Sequence, residues 1–111
     1  MLKAVFYRHN GSPTGFSVSG HAGYGHEGTD IVCAAVTSAV QLSANAITEI
    51  AAVDAEVRAE GNLVALTLPD RTGDEGAEYA AQVILKALLL HLETLAEQYR
   101  GTIRITVMEV K

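Results

Sequence analysis

Residues 53–60 alternate between Val53, Ala55, Val57 and Ala59 on one side and Asp54, Glu56, Arg58 and Glu60 on the other. Successive side chains on a strand point to opposite faces, so this run predicts a strand with one face toward a core and the other in water. Gly61 and Asn62 both tolerate positive φ and fit a two-residue hairpin turn, with Leu63 to Leu68 as the return strand. Alternation of this kind marks an antiparallel sheet wet on one side, which confines any helices to the remaining face.

The rest of the chain agrees. Residues 2–9 carry the β-branched and aromatic content of a strand, Asn10-Gly11-Ser12-Pro13 supplies turn chemistry, and a second strand is expected at about 14–21. In that strand Phe16 and Val18 share one face, while Ser17, Ser19 and His21 share the other. A long helix should follow, capped by Thr29 or Asp30, with Ile31, Ala35, Ser38, Ala39, Leu42, Ala46 and Ile50 recurring at helical spacing and Cys33 in its first turn. A second helix, about 75–99, presents Ala80, Val83, Ile84, Ala87, Leu88, Leu92 and Leu95 before Gly101 ends it. Ile103, Ile105 and Val107 mark the last strand. The order ββαββαβ predicts an α+β two-layer sandwich: a largely antiparallel sheet with two helices on one face, and an outer face free for a partner or a second copy.

With 111 residues, 49% of them hydrophobic, the chain is expected to form a single domain over residues 1–111 around one core. Eight basic against 13 acidic residues give a formal charge of -5, which disfavours a phosphate-binding surface and so direct nucleic-acid contact. No apolar run approaches the roughly 18 residues needed to span a bilayer, because Lys86, His91 and Glu93 interrupt the longest helical candidate. The N-terminus is too short and too alternating for a signal-peptide core, so a cytoplasmic protein without a membrane partner is expected. The one cysteine, Cys33, cannot form an intramolecular disulfide and fits a reducing compartment.

Chemistry concentrates in residues 20–36, where an imidazole at a strand end, His21, and a thiol at a helix start, Cys33, are joined by a loop holding Gly23, Tyr24, Gly25 and Gly28. Thiol nucleophiles act as thiolates, which a helix N-terminus and a nearby imidazolium both favour, so this spacing can build a Cys–His pair. Other readings of the same residues stay open. Cys33 can be a small core hydrophobe, Asp30 a plain helix cap and His21 a solvated strand end. His21, His26, Cys33 and Glu27 are acceptable zinc donors, though no pre-aligned ligand pair joins them. A binding module without chemistry would use the open sheet face. His9 and His91 stand apart, the first expected on the surface and the second at a surface or interface.

Gly-His-Ala, a Tyr-Gly loop and then Asp-Ile-Val-Cys-Ala-Ala-Val resemble the ribosomal-processing cysteine proteases called Prp, or YsxB-like, and the similarity runs over essentially the whole chain. The resemblance implies a cytosolic, homodimeric endopeptidase, without cofactor or metal, that removes an N-terminal extension from bacterial large-subunit ribosomal protein twenty-seven during ribosome assembly. It implies His21 as general base and Cys33 as nucleophile, with Asp30 in a supporting role and the glycine-rich loop closing over an extended peptide that carries apolar and aromatic side chains. First-turn amides, Cys33's own among them, would stabilise the oxyanion.

Overall fold

A computed structural model describes residues 1–20 and 27–111, with side chains for 1–20 and 31–111. Its elements run β1 (Leu2–His9), β2 (Ser12–Gly20), α1 (Glu27–Asn45), a π-helical turn (Ala46–Ile50), β3 (Glu56–Glu60), β4 (Leu63–Thr67), α2 (Glu75–Gln98) and β5 (Ile103–Glu109). The expected ββαββαβ order is therefore the observed one. The five strands lie in the order β3-β4-β2-β1-β5, antiparallel except for the parallel pair β1 and β5. Leu2, Ala4, Phe6, Phe16, Val18 and Leu66 point to one face and share a continuous buried cluster with residues of both helices, which places both helices on that face.

The β1–β2 connection tightens to Asn10-Gly11, with φ of 51° and 81°, so β2 begins two residues earlier than the sequence suggests. Pro13, which has no N–H to donate, sits where the β1–β2 register shifts between Tyr7 and Arg8. In the second hairpin only Gly61 takes a positive φ, 55°, so the turn needs the special conformation at one position rather than two.

Helix α1 is rotated from its expected face, while α2 buries the expected Leu88, Leu92 and Leu95 and departs only in its first half. In α1 the buried positions are Val32, Val36, Val40 and, in the π turn, Ile47, whereas Ile31, Leu42 and Ile50 are exposed. In α2 the buried line is Ala81, Leu85, Leu88, Leu92 and Leu95; Val83 and Ala87 lie outside it. Both sequences are apolar on more than one face, so periodicity alone offers competing stripes, and the side chains that fit the sheet determine which one is buried. By length and composition Ile31–Ile50 and Glu75–Gln98 could each cross a membrane, contrary to the sequence reading; their inward faces are instead spent on the common core.

The alternating run is shorter than expected. Val53 is buried but precedes the strand, and every residue of β3 is exposed. As an edge strand β3 lies beyond full helix cover, and its charged residues Glu56, Arg58 and Glu60 suit an unpaired edge.

Capping explains where the helices stop and start. The Asp74 carboxylate accepts from the Ala77 amide at 3.1 Å at the start of α2. At the end of the π turn, the Ala51 amide donates to Ala46 O at 2.8 Å, and Ala52 then takes a left-handed φ of 57°.

Candidate active site

Cys33 projects from α1 half-buried, packed against the edge of the core. It lines an open groove of about 530 Å³ between α1 and the sheet. The helix wall holds Val36, Thr37, Val40, Gln41 and Ala44, which follow Cys33 at helical spacing on the same face. The floor is a row of inward-facing strand residues, Val18, Val64 and Ala59, paired across β2, β4 and β3, with Leu2 and Val57 beside it. This groove exists because β3 and β4 extend past the part of the sheet that the helices cover, leaving inward apolar side chains open.

Gly20, at the end of β2, also lines the groove. Its φ is 90°, and a Cβ there would lie 2.7 Å from the Met1 carbonyl oxygen, so the chain leaves β2 through a conformation that glycine alone takes without strain. His21, Gly23, Tyr24, Gly25 and His26 lie outside the described residues. Glu27, Gly28 and Asp30 are described only as positions in the first turn of α1.

The helix start differs from expectation. Since α1 begins at Glu27, Asp30 lies within the first turn instead of capping it, and Cys33 falls in the second turn. An amide at that position is beyond the four free N–H groups of a helix start, so the oxyanion role expected of Cys33's own N–H loses its support from the helix end. The zinc reading draws on His21, His26 and Glu27, whose side chains are outside those described; among the described residues no three potential ligands come together.

The remaining histidines match their expected places. His9 is exposed and its Nδ1 lies 3.1 Å from the Val110 carbonyl oxygen. His91, also exposed, borders a second trough between the helices with Ala35, Ser38, Leu42 and Ala87. Sequence reasoning missed the groove residues on β3 and β4 because their apolar alternation reads as core.

A cysteine at one end of an open apolar groove is an arrangement suited to attack on a bound peptide, and comparison with known proteins points the same way. The sequence profile of the family described as "Cysteine protease Prp" matches residues 1–104. The ribosomal processing cysteine protease Prp of Bacillus subtilis is 28% identical over 109 residues, covering 96% of this chain and 96% of the relative. The Staphylococcus aureus ribosomal processing protease Prp in complex with a substrate peptide superposes with a TM-score of 0.81 and 27% identity, over 96% of this chain and 99% of that one. Its complex with a covalently linked product peptide also gives a TM-score of 0.81, at 29% identity and the same coverage. The chain belongs to the Prp family of cysteine proteases.

Proposed function

We propose that this chain is a cytoplasmic, homodimeric endopeptidase that removes the N-terminal extension of bacterial large-subunit ribosomal protein twenty-seven, with Cys33 as nucleophile and His21 as general base. The observation that carries this reading is the position of Cys33, half-buried at the edge of the core and lining an open groove. A purely structural cysteine has no need of such an outlet.

In the proposed reaction His21 takes the Cys33 proton and the sulfur attacks the scissile carbonyl carbon. Collapse of the tetrahedral intermediate breaks the C–N bond, and the proton passes from His21 to the leaving amine. Water, activated by the same imidazole, then releases the extension as a carboxylic acid and restores the thiol. Amides of the loop or of the first turn of α1, ahead of Cys33, would hold the oxyanion. Asp30 acts as a positioning residue for the loop or His21, and Gly23, Tyr24, Gly25 and Gly28 form the flap over the peptide. The covalently linked product peptide in the Staphylococcus aureus protein supports a covalent route in the family.

The homodimer rests on a different surface. Ile31 and Leu42 on α1 and Tyr79 and Leu90 on α2 are all exposed, and Leu42 lines the trough of small residues that His91 borders. A monomer seldom leaves such an apolar surface uncovered.

The test is a peptide spanning the extension and its processing site, incubated with wild type, Cys33→Ala and His21→Ala and read by mass spectrometry. Cleavage at one bond by the wild type alone is expected. Cleavage that survives Cys33→Ala overturns the assignment.

A further inference from the structure

The formal charge of -5 hides a segregation between the two layers. Of the acidic residues only Glu56, Glu60 and Glu109 lie on strands, whereas the strands also carry Lys3, Arg8, Arg58 and Arg104. Glu109 is bonded to Arg8, and Glu60 lies 3.8 Å from Arg58. Lys3 and Arg104 have no such partner: among the described residues neither makes a hydrogen bond or an ion pair. They are nevertheless register partners, both exposed, on β1 and β5, strands about 5 Å apart. Like charges directly opposite each other in a sheet are destabilising, so the pair costs the fold stability unless an anion lies between them.

Their side chains leave the sheet on the face without helices. Leu2 and Gly20 line the groove that holds Cys33, and the adjoining register pair, Lys3 and Ser19, points the other way. On that outer face β1, β2, β4 and β5 carry no carboxylate, since Glu109 shares the face of Ile103, Ile105 and Val107. They present hydroxyls from Ser17, Ser19 and Thr106 and one aromatic ring, that of half-buried Tyr7, whose neighbour on β2 is Gly15.

We infer that the outer face of the sheet docks single-stranded RNA, with Lys3 and Arg104 on its phosphates and Tyr7 under a base. The choice of RNA among polyanions rests on the ribosomal-protein substrate proposed above, which brings the enzyme beside ribosomal RNA. Neighbouring unpaired cations suit phosphate groups, and an aromatic side chain on an open sheet gives a base a surface to stack on. Tyr7 stands four residues beyond Lys3 on the same strand, about 13 Å at about 3.3 Å per residue, so one nucleic-acid strand can reach both. Composition disfavours a nucleic-acid surface only as a sum, because most carboxylates belong to the helices and the connections. With few phosphates held, the affinity is modest and falls with salt. The docking face and the groove are opposite sides of one sheet, so bound RNA holds the enzyme near its substrate without covering Cys33.

The probe is a fluorescein-labelled single-stranded RNA of mixed sequence, followed by fluorescence anisotropy on the full chain at low salt. The wild type should bind it, with affinity falling as salt rises. Lys3→Glu and Arg104→Glu should each weaken binding by about tenfold and lower the salt slope by about one. Tyr7→Leu, which removes the ring but keeps an apolar side chain, should weaken it by about fivefold or more. Lys86→Glu makes the same change of net charge on α2 and should leave binding within about twofold of the wild type. Circular dichroism checks that each variant folds, and cleavage of the ribosomal-protein peptide should stay at the wild-type level in all four. No binding by the wild type, a loss with Lys86→Glu as large as with Lys3→Glu, full binding by Tyr7→Leu, or equal displacement of the RNA by polyglutamate overturns the inference while cleavage leaves the protease reading intact. Absence of cleavage by every form overturns the protease reading instead, and the anisotropy still decides the RNA surface.

Discussion

Cys33 on α1 and Ala59 on β3 line one groove, although the remainder of α1, the π turn and the connection to β3 separate them in sequence. The link between them is the strand register, in which Ala59 pairs with Val64 and Val64 with Val18, carrying the floor from the sheet edge to the strand beneath the thiol.

The exit from β2 depends on Gly20. Its left-handed φ opposes any larger side chain, and so does the Met1 carbonyl oxygen, which would lie only 2.7 Å from an added methyl carbon. Gly20→Ala should therefore lower stability by roughly 1–3 kcal/mol, read as an earlier urea midpoint, and should reduce cleavage beyond what unfolding explains because His21 is the next residue. Unchanged stability would show that the strand end relaxes freely.

The helix that carries Cys33 ends on Ala52 with φ 57°, a conformation that costs a residue bearing a Cβ. Ala52 is exposed and makes no core contact to lose. Ala52→Gly should raise stability by roughly 0.5–1 kcal/mol, the relief of backbone strain exceeding the added entropy of the unfolded chain. Thermal unfolding checks the sign.

At the opposite end of the sheet, Arg8 donates to Glu109 at 2.8 Å and the Gly11 amide donates to the other carboxylate oxygen at 3.3 Å. Desolvation pushes the carboxyl's pKa upward, but the hydrogen bonds from Arg8, Gly11 and Asn10 together with the Arg8 charge outweigh it and hold the pKa below its ordinary value. A depressed folded-state pKa contributes stability that is present at neutral pH and is lost as pH falls through the carboxylate range. Both side chains are half exposed, so the effect is small and weakens with salt. Glu109→Gln should flatten that part of the stability profile, as followed by urea unfolding across acidic pH; an unchanged slope would show that Glu109 has no such role.

The proposed dimer surface predicts that Leu42→Glu or Leu90→Glu will yield a monomer in sedimentation experiments. Because both leucines are exposed, monomer stability should stay within about 0.5 kcal/mol of the wild type. A variant that remains dimeric would place the interface elsewhere.

Fold order was legible from sequence because strand alternation and turn chemistry are local: Phe16 and Val18 face inward as their spacing requires, and Asn10-Gly11 turns where its conformational preference allows. Helix rotation was not. Ile31 and Leu42 lie on a stripe as regular as that of Val32, Val36 and Val40, and only tertiary packing chooses between them. The same limit hid the groove, since Val57 and Ala59 look like core residues until the order of strands puts β3 at an edge. Cys33 stood out by its chemistry, but its place in the second turn depends on where α1 begins, and Thr29 and Asp30 are stronger cap signals than Glu27.

The most direct measurement is the intact mass of the protein after brief mixing with the ribosomal-protein peptide and an acid quench. A Cys33 acyl-enzyme predicts a species heavier by the mass of the released extension less one water, localised to Cys33 by fragmentation and absent from Cys33→Ala. Cleavage of the peptide with equal efficiency by Cys33→Ala, with no adduct on the wild type, would contradict it.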